Sequence, residues 1–337
     1  MTTDFSPIID WLLAAQEPWV VYNTLIDLTG ANANSVPARK AYQAMQKHPR
    51  VTALIEALDT WPPEEPLSKA YDPQDSIWKL NTLADFGLRR DDKRIAAIAK
   101  RIFAAQATEG GFLHGGFDHT KSWDTRPYIC IAHVMTYALA RFDYLDDPRL
   151  QKAYDHIKTW QRLDGGWHPN PINLPGNERE AAPSCPFGTV NVLRAMVVHP
   201  ELQKSKAATH AAEFLLDCWG RRAEPYRPVG FGIGSTWDKV QYPFVQYQLL
   251  KTIDTLSQVP AIRKDARFQE MLGRLASKQN TESRWTAEGI NKPWSDFDFG
   301  QKKRPSAWIT FLAVRTLIRG QQPTGKRAAV RKSKSAG

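Results

Sequence analysis

The feature that most constrains the fold is a segment that begins as an amphipathic helix and ends on two glycines and a tryptophan. Between Lys152 and Trp167, apolar side chains first recur at helical spacing. The helical pattern stops at Gly165-Gly166, because glycine is poorly suited to continuing a helix. Gln161 can reach the backbone groups that the helix end leaves open, and the indole of Trp167 can lie against it. The segment therefore predicts a helix that ends in a specific turn.

The same pattern recurs along the chain at a nearly constant interval. A second copy ends with Gln106 and Phe112, and a third ends with Gln279 and Trp285. When weaker copies are included, the aromatic residue of the pattern stands at Trp61, Phe112, Trp167, Phe231 and Trp285. These positions are separated by 51, 55, 64 and 54 residues. Self-similarity at such a period is typical of a repeat architecture, in which each unit buries its apolar face against the next.

The segment reads Lys-Ala-x-x-His-Ile-x-x-x-Gln-x-x-x-Gly-x-Trp, which resembles the QW repeat of the squalene and oxidosqualene cyclases. His156 is the departure, since it stands where that family usually has an aromatic residue. The resemblance covers residues 7–319 as a repeat pattern and implies an all-α fold, an (α/α)6 toroid with six inner and six outer helices. Triterpene cyclases carry a second helical domain, so the chain resembles a stand-alone single-toroid member of the squalene cyclase and prenyltransferase repeat family.

The links between the predicted helices have two unequal lengths. Links from an inner to an outer helix are short, as at 89–91 and 144–146, whereas links from an outer to an inner helix are long, as at 107–126 and 163–184. In an alternating ring, all links of one kind lie at one end. We therefore expect the functional end to be the long-link end, where the inner helices begin, because long ordered loops on a compact scaffold are usually functional.

We expect residues 1–320 to form one domain, in which the last helix, Ser306–Arg319, closes the ring against Pro7–Ala15. Residues 321–337 are predicted to be a basic disordered tail, because they have almost nothing apolar to bury. The tail holds five of the basic residues behind the net charge of +10, namely Lys326, Arg327, Arg331, Lys332 and Lys334. This clustering argues against specific nucleic-acid binding. A solvated extension and a weak contact with anionic surfaces are the two alternatives for the tail.

Composition limits the class of protein further. An apolar content of 42% is ample for a core, yet no run of eighteen apolar residues predicts a transmembrane segment. The first thirteen residues lack the basic region of a signal peptide. Cys130, Cys185 and Cys218 are few, odd in number and without metal-ligand spacing, so we interpret them as reduced thiols of a cytoplasmic protein. No cofactor is predicted.

Cyclases of the resembled family protonate an alkene or epoxide with an aspartic acid in an Asp-x-Asp-Asp motif, and aromatic faces then stabilise the carbocation. That motif is absent here. Residues 143–147, Asp-Tyr-Leu-Asp-Asp, have the wrong spacing and predict a turn and a helix cap at the short-link end. Carboxylates stand shortly before inner helices of the long-link end at Asp124, Asp296 and Asp298, and we expect the catalytic acid among these three.

Each of these carboxylates has a structural alternative. Arg126 can hold Asp124 ionised as an ion-pair partner, which would spoil it as an acid. Asp296 and Asp298 can instead meet the basic residues that follow them, Lys302, Lys303 and Arg304. A metal is not predicted, because Cys130 and His133 lie one helical turn apart but a catalytic site needs three suitable ligands together.

The expected ligand is an apolar small molecule in the central cavity. Aromatic rings at helical spacing usually belong to a core, but the inner helices of a toroid also face its centre, so some rings should line a pocket. The candidate substrate-binding residues are Trp78, Trp123, Arg126, Tyr128, His133, Tyr242, Tyr247 and Trp308.

Three functions remain open from the sequence. The first is an enzyme that acts by acid catalysis on an isoprenoid-like molecule, and a dry aromatic cavity with one buried carboxylate would favour it. The second is a non-catalytic ligand-binding or scaffold toroid, which a centre filled by side chains would favour. The third is a carbohydrate-active hydrolase or lyase, which paired carboxylates in an open groove would favour.

Overall fold

The computed structural model describes residues 4–60, 72–113, 129–168, 183–226, 228 and 235–321. These residues form helices and connecting turns, and the one isolated bridge among them joins Gln106 to Phe112. The α-helices are α1 (Ser6–Leu13), α2 (Pro18–Asn23), α3 (Val36–Gln46), α4 (Pro49–Glu56), α5 (Ser76–Phe86), α6 (Lys93–Ala104), α7 (Ile129–Arg141), α8 (Pro148–Thr159), α9 (Pro186–Val198), α10 (Lys206–Gly220), α11 (Leu249–Leu256), α12 (Ala266–Ala276) and α13 (Ala307–Gln321). A π-helical turn, Thr24–Leu28, continues α2.

Burial divides these helices into an inner and an outer set. In α7 every residue from 129 to 140 is buried, and all eight residues of α11 are buried. In α6, by contrast, only one apolar stripe is buried, consisting of Ile95, Ile98, Ala99, Ile102 and Phe103. A helix that is buried on all sides needs neighbours all round, whereas a one-sided stripe needs only one layer beneath it. Helices α5, α7, α9, α11 and α13 are accordingly inner, and α6, α8, α10 and α12 are outer.

The inner helices pack in chain order around a closed ring. Helix α5 contacts α7, α7 contacts α9, α9 contacts α11 and α11 contacts α13. Helix α2 completes the circle, because it contacts both α5 and α13. The all-α (α/α)6 toroid predicted from the repeat is therefore confirmed.

The closing contact lies one helix later in the chain than predicted. Helix α13 packs against α2 and the π-helical turn, and α1 packs against those same two segments. The side chains explain this arrangement. Asp27 of the π-helical turn pairs with Arg315 of α13 at 3.0 Å. The contact that closes the ring between α13 and this turn, called the seam below, therefore contains an ion pair as well as apolar contacts.

The unequal links are present in the structure. The short links 87–92 and 142–147 follow inner helices, whereas the inner helices α9 and α11 are preceded by longer connections, of which the structure describes residues 160–168, 183–185, 221–226, 228 and 235–248. One predicted boundary is wrong. The sequence pattern predicts the fifth inner helix from Pro243 to Leu256, but the helix begins at Leu249 and residues 243–248 are not helical. The backbone N–H of Val245 donates to the carbonyl of Pro243 at 2.8 Å, which is a tighter turn than a helix makes.

Several outer helices begin with the same cap at the short-link end. Asp92 accepts a hydrogen bond from the backbone N–H of Arg94 and also pairs with its guanidinium at 2.7 Å. Asp147 and Asp265 make the equivalent bonds to the arginines two positions later, Arg149 and Arg267. Asp147 belongs to the segment 143–147, whose spacing does not match the Asp-x-Asp-Asp motif. It is the helix cap that the sequence predicts.

The glutamines of the repeated segment tie neighbouring units together. Nε2 of Gln161 donates to the carbonyl of Gly165 at 2.9 Å and to that of Ala207 in α10 at 2.8 Å. Gln106 makes the same pair of bonds, to Gly110 at 2.8 Å and Arg149 in α8 at 2.7 Å. Each glutamine thus closes its own turn and fixes the start of the next outer helix.

The tryptophans of the repeated segment are equally regular. Nε1 of Trp167 donates to the carbonyl of Ile157 at 2.9 Å, and Nε1 of Trp285 donates to that of Leu275 at 2.8 Å. Both indoles are fully buried. The sequence predicts structural roles for these residues, and the hydrogen bonds that their side chains make within the described ranges go to backbone carbonyls.

Within the described ranges, none of the helices has the length and apolar character needed to span a bilayer. Residues 322–337, which hold the predicted basic tail, lie outside the described residues. The tail's contact with anionic surfaces, the cytoplasmic location and the domain boundary at residue 320 stay predictions.

Candidate functional site

Four of the eleven candidate site residues lie in a segment that the structure does not describe. Trp123, Asp124, Arg126 and Tyr128 all fall within residues 114–128, outside the described residues. The remaining seven candidates, in or next to α5, α7, α11 and α13, can be placed.

Asp298 is a buried carboxyl at the long-link end. Its Oδ2 accepts hydrogen bonds from the Ser306 hydroxyl at 2.7 Å and from the backbone N–H of Trp308 at 3.1 Å. Its Oδ1 is buried and has no hydrogen-bond partner. Burial raises the pKa of Asp298 above its usual value, although the bonds from Ser306 and Trp308 oppose the shift, and the negative charge of Glu17 adds to it. The carboxyl therefore caps α13 with one oxygen and leaves the other free.

Asp296 stands apart from this site. The residue is exposed, so it does not share the buried surroundings of the Asp298 carboxyl. Residues 298–300 form a 3-10 helix, so the two carboxylates do not lie on one extended strand that would direct them the same way. The alternative of pairing with Lys302, Lys303 or Arg304 is not seen for Asp298, whose described partners are Ser306 and Trp308.

An aromatic cluster surrounds the start of α13. The ring of Tyr242 lies edge-on to Phe299 at 4.8 Å between centroids and to Trp308 at 5.7 Å. Trp308 also packs edge-on against Phe86 at 5.2 Å. The backbone N–H of Trp308 binds Oδ2 of Asp298. The cluster therefore adjoins this carboxyl group and extends toward the interior of the ring.

The other predicted wall residues have different positions. Trp78 is buried in α5 beside Phe187, whose ring centroid is 6.3 Å away. Tyr247 is buried against Trp237 at 5.4 Å, in the irregular stretch before α11 and not on an inner helix as predicted. His133 does not face the ring centre, because its Nε2 is 3.2 Å from Nδ1 of His156 in the outer helix α8.

His133 and His156 form a buried pair between the two layers. Nδ1 of His133 lies 3.1 Å from the Thr136 hydroxyl, and Nε2 of His156 has no partner. Burial lowers the pKa of His133 well below its usual value, and it lowers the pKa of His156 to about 4. Both rings are therefore neutral at pH 7. In the described part of the chain, no three His, Cys, Asp or Glu side chains come together as metal ligands.

The ring also contains a network of buried charges that was not predicted from the sequence. Arg194 of α9 donates to both Asp85 and Asn81 of α5, the latter at 2.5 Å. Tyr137 and Tyr242 also donate to Asp85, at 2.5 and 2.8 Å. Because α5 and α9 are not neighbours around the ring, the pair formed by Asp85 and Arg194 spans the ring interior. These five residues are called the axial network below.

A second group of buried charges joins the last helix to its neighbours. Arg315 of α13 donates to both oxygens of Asp254 in α11 and to Asp27 at 3.0 Å. Burial acts to raise the pKa of Asp254, but the guanidiniums of Arg315 and Arg319 outweigh it and hold that pKa below its usual value. These carboxylates are ionised and occupied by their own cations. They lie toward the C-terminal ends of the inner helices, at the short-link end.

Lys251 is a third buried charge-bearing group that the sequence analysis did not find. It occupies the third position of α11, with its Nζ 2.6 Å from Oδ1 of Asn191 and 5.4 Å from the ring centres of Trp78 and Phe187. A usable signal existed in the sequence, since Asp85, Arg194 and Lys251 are charged residues that fall within helices predicted to be inner. Charged residues in such helices are rarely buried unless they have partners or a function.

The chain matches no protein-family model and no curated protein. Solved structures similar to it include a protein from Actinoplanes, at 14% identity and a TM-score of 0.45, with 95% of this chain and 100% of that chain covered. The type II terpene cyclase MstE from Scytonema is similar at 12% identity and a TM-score of 0.42, with coverages of 94% and 97%.

A variant of the same cyclase in complex with geranylgeranyl dihydroxybenzoate, its substrate, is similar at 11% identity and a TM-score of 0.42, with coverages of 94% and 96%. Identities this low and TM-scores below one half do not extend the substrates of these proteins to this chain. Its function therefore rests on the side chains of its own ring.

Proposed function

We propose that this chain is an enzyme that binds an apolar, isoprenoid-like small molecule at the long-link end of its ring and protonates it with Asp298. The observation that supports this proposal most directly is the free carboxyl oxygen. Oδ1 of Asp298 is buried without a partner, whereas Oδ2 accepts two hydrogen bonds. Because Oδ2 is already an acceptor, the proton of the neutral acid resides on Oδ1, where a substrate double bond can take it.

The surroundings of Asp298 suit the charge that such a protonation creates. Proton transfer to an alkene leaves a carbocation, which electron-rich ring faces stabilise. Tyr242, Phe299 and Trp308 form a contiguous cluster next to the carboxyl. Among the described contacts, no arginine or lysine lies over these three rings, so their faces are not already occupied by a cation of the protein.

The short-link end contributes by closing the ring. The pairs of Arg315 with Asp254 and Asp27 hold two carboxylates against one guanidinium there. Burial acts to raise the pKa values of these two carboxylates, but the positive charges of Arg315 and Arg319 keep them below the usual value, which makes the two groups poor proton donors. Asp85 is occupied by Arg194. Asp298, whose pKa burial raises, is therefore the better candidate for the acid.

The test compares two aspartates that lie two positions apart. Purified wild type, Asp298→Asn and Asp296→Asn are incubated with linear isoprenoids such as squalene and geranylgeraniol, and products are separated by gas chromatography with mass detection. Wild type should form cyclised isomers of unchanged mass. Asp298→Asn, which keeps an acceptor for α13, should lose activity by roughly 100-fold or more, the usual range for a general acid. Asp296→Asn should retain wild-type activity, because that residue is exposed.

A second candidate is a toroid that binds an apolar ligand without transforming it. One observation favours it, namely that the protein's own cations occupy other aromatic faces inside the ring. The guanidinium of Arg194 lies 4.0 Å from the ring centre of Tyr137 and 4.9 Å from that of Phe244. An isoprenoid that binds tightly to the wild type but is recovered unchanged, with the same affinity in Asp298→Asn, would replace acid catalysis by this function.

The carbohydrate-active alternative has less support in the described part of the chain. Such enzymes use two carboxyl groups that flank the scissile bond. Asp85, Asp254 and Asp27 are each paired with an arginine. Glu17 is the carboxyl whose charge acts on Asp298, but the rings of Phe299 and Trp308 beside Asp298 favour an apolar ligand. We do not propose a glycosidase or lyase.

A further inference from the structure

Lys251 is held in a position where an amine is unusual. Its side chain has no exposed surface, and its Nζ donates to Oδ1 of Asn191 at 2.6 Å. Asn191 is fixed in turn, because its Nδ2 donates to the carbonyl of Cys130 at 2.9 Å. The amine therefore has a positioned acceptor on one side, and no carboxylate pairs with it among the described contacts.

The remaining surroundings of Lys251 are apolar or repulsive. The rings of Trp78 and Phe187 lie with their centres 5.4 Å from Nζ. The charges that act on Lys251 are those of Arg194 and Asp85, and these two bind each other. Burial, with a further contribution from the positive charge of Arg194, lowers the pKa of Lys251 well below its usual value. A neutral amine is a nucleophile, whereas a protonated one is not.

A polar atom without a partner lies on a ring beside this amine. Nε1 of Trp78 is buried and unpartnered, and the ring centre of Trp78 is 5.4 Å from Nζ of Lys251. A buried donor that lacks a hydrogen bond is destabilising. The indole N–H therefore indicates a place where a polar group of a ligand is received.

We propose that Lys251 is a covalent attachment site for an apolar aldehyde or ketone, which it binds as an imine while the indole N–H of Trp78 donates to the carbonyl oxygen. The Nζ lone pair forms the new N–C bond as the π bond of the carbonyl breaks. The resulting carbinolamine then loses its oxygen, which leaves as water together with both amine protons. The step is balanced without an oxidant or a reductant. It does not use Asp298, so it can fail or succeed independently of the proposed function.

The experiment traps the imine in the full-length protein. Wild type is mixed at pH 7 with dodecanal and sodium cyanoborohydride, digested, and mapped by mass spectrometry. Reduction adds the mass of dodecanal less one oxygen atom to the peptide that contains Lys251. Surface lysines compete poorly, because at an ordinary pKa near 10.4 only roughly 1 in 2,500 is deprotonated at pH 7. Glyceraldehyde, a polar aldehyde, should not label Lys251.

Matched variants separate this site from general amine reactivity. Lys251→Met removes the amine and should abolish the specific label, whereas Lys100→Met, at an exposed position of α6, should leave it unchanged. Trp78→Phe keeps the ring and removes the N–H, so labelling of Lys251 should slow. Asp298→Asn should label like the wild type. Labelling of wild type that is spread over surface lysines, or absent from Lys251, would overturn the proposal even if Lys251→Met failed to fold.

Discussion

Arg315 and Asp254 join two neighbouring inner helices through an ion pair in which the guanidinium contacts both carboxylate oxygens. Nη2 of Arg315 lies 3.0 Å from both carboxylate oxygens of Asp254, and Nε lies 3.2 Å from Oδ1. The two side chains keep only 10% and 4% of their surface exposed. The same guanidinium reaches Asp27 at the seam. One arginine therefore connects α13 to the preceding inner helix, α11, and to the segment that closes the ring.

Breaking this pair should destabilise the whole ring. Arg315→Met leaves Asp254 buried without its main partner, so we expect the free energy of unfolding to fall by about 3–5 kcal/mol. The double variant Arg315→Met with Asp254→Leu removes both charges and should recover part of that loss. Chemical denaturation followed by circular dichroism measures both values.

The control for this prediction is a pair of the same type at the surface. Arg90 and Asp146 are 3.1 Å apart with 46% and 71% of their side chains exposed. Arg90→Met should change the free energy of unfolding by at most about 1 kcal/mol. If Arg315→Met and Arg90→Met lowered the free energy of unfolding by equal amounts, the buried pair would not be what stabilises the ring.

The turn of the repeated segment gives a second prediction. Gly165 has a φ of +87°, and a Cβ atom there would lie 2.4 Å from the carbonyl oxygen of His210. Gly30 has a φ of +69° but no atom within 4 Å of the corresponding position. Gly30→Ala should cost about 1–2 kcal/mol for left-handed backbone alone. Gly165→Ala should cost at least ~1 kcal/mol more, because the backbone must also move. Thermal melts of both variants test this, and similar losses would contradict it.

The buried histidine pair gives a prediction for acid stability. The pKa of His156 is lowered by burial to about 4 in the folded protein, against 6.5 for the free group. Between these values the unfolded chain binds the proton and the folded chain does not, so stability falls as the pH drops from 6.5 to about 4. The shift corresponds to roughly 3 kcal/mol, and His133 adds to the effect in the same direction.

Variants isolate the histidine contribution from that of the carboxylates. His156→Phe should reduce the slope of stability against pH between 6.5 and 4, measured by urea denaturation at several pH values. His210→Gln, at an exposed histidine, should leave the slope unchanged. An unchanged slope in His156→Phe would mean that the ring of His156 is not buried as a neutral group.

The repeat makes the fold predictable from sequence because its marker residues act locally. Gln161 closes the turn that follows its own helix, and the indole N–H of Trp167 bonds to a backbone carbonyl ten residues earlier. Such contacts depend on spacing along the chain, which the sequence displays. The fifth inner helix is the exception, since it begins only at Leu249 and the Tyr242 hydroxyl, before this irregular stretch, donates to Asp85, 157 residues away.

The candidate site is less predictable because it depends on contacts across the ring. The position of Asp298 before the last inner helix can be read from the sequence, but its free oxygen depends on the bonds to Ser306 and Trp308. The partners of Arg194 lie 109 and 113 residues away, at Asp85 and Asn81. His133 shows a prediction that fails for the same reason. Its place on an inner helix predicts that its side chain faces the ring centre, but its contact with His156 directs it toward the outer helices.

The central claim is that Asp298 is an acid that stays protonated above the usual range for aspartate, and a carboxyl titration tests it most directly. Protein labelled with carbon-13 at aspartate carboxyls is titrated by NMR, and the Asp298 signal is assigned by its loss in Asp298→Asn. We predict a midpoint above about 3.9, the ordinary aspartate value, with Asp254 titrating below that value in the same sample. A midpoint for Asp298 at or below the ordinary value would contradict the claim, because an ionised carboxylate cannot donate the proton.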